Sequence, residues 1–207
     1  MQKLLLSLGL LAGSLATAYA QESRFGLKAG ASLSTFVGSD VTSSSSSKFG
    51  FHGGLVASLG INNRFSVQPE LLYSMKGTRD QATQGGTTVT GYQTLHYVDV
   101  PIMLKAKFNQ LFVEAGPQVG VLMAANATIE DGSNSMSISN KGAFKDVDFG
   151  CAVGLGFQAE SGLMVGLRYN GGLVDVPKAK TLRGQTLQPQ ARNSAVQLYV
   201  GILLKSR

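Results

Sequence analysis

Between Tyr92 and Met123 the chain alternates strictly in twos, interrupted only by a two-residue polar turn. From Tyr92, every second residue reads Tyr, Thr, His, Val, Val, Ile, Leu, Ala, Phe, and the residues between read Gln, Leu, Tyr, Asp, Pro, Met, Lys, Lys. Beyond Asn109-Gln110, the series Leu111, Val113, Ala115, Pro117, Val119, Val121 and Met123 alternates with Phe112, Glu114, Gly116, Gln118, Gly120 and Leu122. Successive side chains of a β-strand point to opposite faces, so this stretch reads as a hairpin with one apolar face and one face carrying charge. Which of the two faces is buried decides what kind of protein this is.

The same alternation recurs along the chain. Segments 24–36, 48–60, 65–76, 147–159, 163–173 and 194–205 each set apolar residues against Gly, polar or charged ones. With the two strands of the hairpin this makes about eight, an even number of the kind found in small membrane barrels. Connections alternate in length. Residues 61–64, 109–110 and 160–162 are tight turns rich in Asn or Gly, as short hairpins require. Residues 37–47, 77–91, 124–146 and 174–193 are long polar segments, expected to be loops gathered at the opposite end from the turns.

Charges on the polar face appear singly in mid-strand: Lys28, Glu70, Asp99, Lys105, Glu114 and Arg168. An Arg or Lys facing lipid near the bilayer midplane costs about 2–4 kcal/mol, so in a membrane barrel these six must point inward. The other face is apolar in every strand, whereas a soluble barrel needs polar outward residues. Aromatics on the apolar face fall near both strand ends: Phe25, Phe65, Phe108 and Phe157 by the turns, and Phe49, Phe51, Tyr73, Tyr92, Phe149 and Tyr169 by the loops. Two such belts match the interfacial girdles of membrane barrels. A β-sandwich with core aromatics is the competing reading, but it leaves the inward charges without partners. The fold expected is therefore all-β, an eight-stranded antiparallel up-and-down transmembrane β-barrel. Closure pairs every backbone group and removes sheet edges, and eight strands enclose a lumen only wide enough for side chains. Glu70, Asp99 and Glu114 are expected to meet Lys28, Lys105 and Arg168 there as an ion-pair network.

Residues 1–20 read as a signal peptide: Lys3, an apolar run from Leu4 to Leu15, then Ala18-Tyr19-Ala20, with cleavage between Ala20 and Gln21. The barrel domain is then 21–207. The apolar run is short for a bilayer span, and no other segment approaches one. A net charge of +6 admits nucleic acid as a partner, but no Lys/Arg-rich run or RNA-binding signature accompanies it, and an exported chain does not meet nucleic acid. Cys151 is the single cysteine, which rules out an intrachain disulfide.

Catalytic and ligand-binding patterns are weak. His96 and Asp99 are close in sequence but fall on opposite faces, and His52 has no acidic neighbour in sequence. Glu130-Asp131 lacks the calcium-loop pattern, and the glycines from Gly150 to Gly156 lack the Lys-Ser/Thr and helix of a phosphate loop. No enzyme, cofactor or metal site is expected. Lys178, Lys180, Arg183 and Arg192 cluster in the fourth loop, where they could touch lipopolysaccharide or another anionic partner, or simply be solvated.

Five segments, FGLKAGASLSTF, FSVQPELLYSMKG, YVDVPIMLKAKF, VEAGPQVGVLM and GLMVGLRYNGGL, together resemble the PorT-type outer-membrane β-barrel family of Gram-negative bacteria over essentially the whole mature chain. The resemblance implies an outer-membrane location, an eight-stranded barrel, contact with outer-membrane lipid and lipopolysaccharide, and insertion by the barrel-assembly machinery. The founding member is linked to protein secretion, and the family carries no agreed catalytic residues. The ending Leu203-Leu204-Lys205-Ser206-Arg207 departs from membrane barrels in lacking a final aromatic. The function expected is a structural, surface-contact or secretion-accessory one exerted through extracellular loops; a periplasmic lipocalin-like carrier and a narrow diffusion pore are the alternatives.

Overall fold

The computed structural model describes residues 23–41, 45–84, 87–131, 134–182 and 185–205. The expected signal peptide, its expected cut between Ala20 and Gln21, and Arg183 lie outside these residues. In chain order the strands are β1 (Ser23–Val37), β2 (Ser45–Gly60), β3 (Phe65–Gln84), β4 (Thr87–Phe108), β5 (Leu111–Asp131), β6 (Asn134–Ser139), β7 (Val147–Gln158), β8 (Leu163–Gly172), β9 (Lys180–Leu182), β10 (Gln185–Leu187) and β11 (Arg192–Lys205). A 3-10 turn spans Lys141–Ala143.

Eight of these strands form a closed ring in the order β1, β2, β3, β4, β5, β7, β8, β11, all antiparallel. The ring shuts where β1 pairs β11, from Arg24 opposite Lys205 to Val37 opposite Arg192. The tight turns gather at one end. Asn62 folds one of them by accepting hydrogen bonds at Oδ1 from the Arg64 and Phe65 backbone N–H groups, at 2.9 and 2.8 Å. Asn109 turns another with φ of 57°, a left-handed conformation that Asn tolerates better than most residues.

At the other end the expectation of long loops needs correction. β3 runs on to Gln84 and β4 begins at Thr87, so most of residues 77–91 is paired sheet. β5 runs on to Asp131 and turns back as β6, which takes up part of 124–146. The fourth segment contains the small β9–β10 hairpin. The reason is physical: the two-residue signal needs two unlike faces, and a strand that continues into water beyond the membrane is polar on both. A register shift adds to this. His96 pairs Ala124 while Tyr97 pairs Leu122, so Met123 is the extra residue of a bulge and the alternation changes phase there.

The side-chain distribution is inverted relative to a soluble protein. Outward positions in all eight strands are apolar and exposed, Leu27, Leu55, Leu71, Leu104, Val113, Val153, Leu167 and Leu198 among them. Buried inward positions carry most of the charged and polar strand residues, with apolar ones such as Val56, Leu72, Met103 and Phe112 among them. An apolar surface this continuous exceeds what water-soluble monomers expose. No helix among the described residues is long and apolar enough to cross a membrane; these strands supply the apolar band instead.

Candidate functional site

Buried in the lumen, among the described residues, are four cations, Lys28, Lys76, Lys105 and Arg168, and four carboxylates, Glu70, Asp99, Glu114 and Asp148. Their formal charges cancel, but they are not mixed evenly along the axis.

Nearer the turns, Arg168 on β8 is the centre. Its Nη1 and Nη2 donate to Glu70 Oε2 and Oε1, both at 2.8 Å, and its Nε donates to Glu114 Oε1 at 2.8 Å. Lys28 Nζ donates to Glu70 Oε1 at 2.7 Å and lies 3.9 Å from the centre of the Tyr199 ring. Gln68 Nε2 also donates to Glu70 Oε1, and the Tyr199 hydroxyl donates to Glu114 Oε1. Charge-assisted bonds and a bidentate Arg fork are the strong forms of hydrogen bond, and only such bonding offsets the desolvation of buried ions. Glycine makes the space. A Cβ on Gly166 would lie 2.5 Å from the Tyr199 ring, and one on Gly154 would lie 3.0 Å from Glu114 Oε1.

Lys105 and Asp99 stand apart from this group, contrary to a single network of six. Lys105 is paired in register with Glu114, yet its ammonium lies 3.9 Å from the Met164 sulfur and 3.9 Å from the centre of the Phe112 ring. Arg168 and Tyr199 already hold Glu114 Oε1. Asp99 sits too far toward the loop end to reach Arg168 and instead accepts from Lys76 Nζ at 3.0 Å.

Lys76 and Asp148 belong to the loop-side group together with Tyr97 and Asn193. Asn193 Nδ2 donates to Asp148 Oδ2 at 2.8 Å, and Lys76 lies 4.6 Å from the centre of the Tyr97 ring. Lys76 and Asp148 are not among the six charges expected from the sequence, since each stands at the end of its alternating segment, although the alternation puts both on the charged face. Above them, Leu95, Tyr97, Leu122, Ala125, Phe144 and Val176 form a buried apolar cluster with Phe36 and Ala143 packed against it. Backbone bonds tie the third and fourth connections into this plug: Lys145 N–H to Val176 O and Lys178 N–H to Ala143 O, both at 2.8 Å.

The four cations of the fourth connection are not gathered into one described patch. Arg192 Nε donates to Asp175 Oδ1 at 3.3 Å on the surface, Lys178 is half-buried, and the backbone of Lys180 starts β9. His96 lies on the outer face, where its Nδ1 is 2.6 Å from the Tyr73 hydroxyl, while Asp99 is inside. His52 is buried, and Cys151 is exposed on the outer face of β7. Among the described residues no group of three or more His, Cys, Asp or Glu side chains could hold a metal ion.

Similarity to known proteins accords with this architecture. The family model described as outer membrane protein beta-barrel domain matches residues 19–177. No curated protein matches the chain. Among solved structures, the attachment invasion locus protein Ail of Yersinia pestis is 14% identical, with 89% of this chain and 100% of that one covered and a TM-score of 0.48. Neisserial surface protein A is 14% identical, with 86% and 96% covered and a TM-score of 0.46. The outer membrane protease OmpT of Escherichia coli is 6% identical, with 89% and 95% covered and a TM-score of 0.41. With its family model spanning most of the chain, a closed ring of eight antiparallel strands, charges inside and an apolar face outside, this protein belongs to the outer membrane protein beta-barrel family and resides in the outer membrane.

Proposed function

We propose that this chain is a non-enzymatic barrel that works by contact, through the sheet that β3, β4, β5 and β6 carry past the barrel rim. One observation carries the reading. Ile129, Met136 and Ile138 are exposed on this extension, and β6 pairs only β5 among the described residues, leaving its second edge open. An open strand edge presents unpaired N–H and C=O groups that can take another strand. Photo-crosslinkers placed at Met136 and Ile138 in cells are expected to yield discrete adducts. An absence of adducts from both positions rejects the reading.

The PorT-type resemblance supports a narrower form, in which the contact serves protein secretion. Deleting the gene is then expected to deplete specific proteins from the cell surface, and an unchanged surface proteome argues against it. Contact of Lys178, Lys180, Arg183 and Arg192 with lipopolysaccharide, and insertion by the assembly machinery, stand as parts of the same proposal. Deleting residues 178–190 is expected to weaken lipopolysaccharide binding, and equal affinity rejects that part.

The filled lumen disfavours both alternatives. A carrier needs an enclosed apolar cavity, whereas the mid-lumen space beside Gln118, Asp148 and Asn170 is about 10 Å³ and the larger space at the turn end is lined by Arg and Lys. A pore needs a water path, which the Arg168 cluster and the apolar plug both obstruct. Steady conductance in planar bilayers would revive the pore.

A further inference from the structure

At the turn end, which faces the periplasm in outer-membrane barrels, the lumen opens into a cavity of about 440 Å³. Three cationic side chains, Arg64, Lys105 and Lys107, help line it beside Arg24, which is already engaged, and among the described residues no carboxylate does. Glu160 lies in the neighbouring turn but is not part of the lining. An open cleft lined by Arg64 and Lys107, with Asn63, Phe108 and Asn109, adjoins it.

Lys105 separates this cavity from an ordinary basic rim. It is 2% exposed, its ammonium lies 3.9 Å from the Met164 sulfur and 3.9 Å from the centre of the Phe112 ring, and it lines the cavity. Among the described residues no carboxylate lies within ion-pair distance of it. The axial distribution of charge points the same way. The turn-side half of the lumen holds Lys28, Lys105 and Arg168 against Glu70 and Glu114, an excess of one positive charge, and Lys105 is the one of these five that lines the cavity. The uncharged lining adds donors: Asn62 Oδ1 is taken up by the backbone of its own turn, which leaves its amide N–H₂ free to donate, and Ser66 supplies a hydroxyl.

A pocket that offers Arg and Lys donors without acceptors of negative charge suits a multiply charged oxyanion, and the planar Arg fork suits phosphate oxygens in particular. We propose that the turn-side mouth of the barrel binds a phosphate group, carried either by a lipid headgroup of the inner leaflet or by a soluble phosphoester.

The test uses the full mature chain in phosphatidylcholine nanodiscs titrated with pyrophosphate at about 0.15 M salt, where exposed charges are largely screened. One saturable site is expected, and the double variant Arg64→Gln/Lys107→Gln is expected to weaken it roughly tenfold or more. Lys105→Met should weaken it similarly, and Lys145→Gln at the opposite end, an exposed lysine, should not. Because Arg64 and Lys107 lie at the rim, the double variant keeps the test independent of any folding defect in Lys105→Met. Native mass spectrometry from mixed phosphatidylcholine and phosphatidylglycerol vesicles separates the two sources. Phosphatidylglycerol retained by the unmodified protein and lost by the double variant assigns the site to a headgroup, whereas pyrophosphate binding without lipid retention assigns it to a soluble phosphoester. Neither form of binding, or binding undiminished in the double variant, overturns the proposal.

Discussion

In the turn-side half of the lumen, Arg168 reaches two carboxylates at once and Lys28 shares one of them. In the loop-side half, Lys76 meets Asp99 alone and a shell of apolar side chains closes the end. Every charged member of the first group, on β1, β3, β5 and β8, stands on a strand whose neighbours fix its direction, so the ions are brought together by register. The loop-side group is completed by residues from the third and fourth connections, where no ring register applies. The contrast teaches that strand register alone can gather ions in a barrel of this width, packed among strand-borne apolar side chains such as Val56, Phe112 and Met164. Where the connections close the end, Phe144 and Val176 join Leu95, Tyr97, Leu122 and Ala125 of β4 and β5 in an apolar cluster that holds no ion.

That difference makes ordered predictions. Arg168→Met leaves Glu70 and Glu114 buried without their main partner, and it is expected to cost about 5 kcal/mol, the upper end for breaking a buried ion pair. Denaturant unfolding in detergent measures it, and a loss below about 1 kcal/mol, the size of a surface pair, would remove Arg168 from the centre. Glu114→Ala is expected to cost less, about 3 kcal/mol, because Glu70 still holds both Arg168 and Lys28. An unchanged melting curve would show that the cluster does not act as a unit.

At the loop end the effect should be smaller and local. Phe144→Ala is expected to lower the local opening free energy by about 2 kcal/mol, less than the roughly 3–5 of a full core Phe because the plug borders water. Amide exchange should quicken around 144–147 and 174–178 and leave the mid-lumen strands unaffected. Faster exchange throughout the barrel would mean that the two halves are one cooperative unit. Last comes Arg192→Gln at the exposed pair with Asp175, where the Arg side chain is 48% exposed; about 0.5 kcal/mol or less is expected by thermal unfolding, and a larger cost would make the fourth connection part of the stable core.

The division between register and connection also sets what could be read from the chain. Glu70, Glu114, Lys28 and Arg168 were legible as interior charges because each sits in an unbroken alternation with an apolar partner series outside. Tyr199 was legible as inward, but its role as a donor to Glu114 was not, since a tyrosine fits either side of a membrane barrel. Lys105 and Glu114 are register partners, yet the Lys105 ammonium lies against Met164 and Phe112 while Glu114 is held at Oε1 by Arg168 and Tyr199. Phe144 and Val176 were hidden in segments that read as polar loops, because an isolated apolar residue has no period to betray its direction. The bulge at Met123 shifts the phase of β5, so parity counted through it puts Ala125 outside when it is buried.

The central claim is that the apolar face meets lipid and the charged face does not, and the single cysteine tests it without mutation. Cys151 is exposed on the outer face of β7, between Phe149 and Phe157. A nitroxide attached to Cys151 in lipid nanodiscs is predicted to collide more with dissolved oxygen than with a water-soluble nickel chelate. Preferential collision with the chelate would place that face in water and contradict the account.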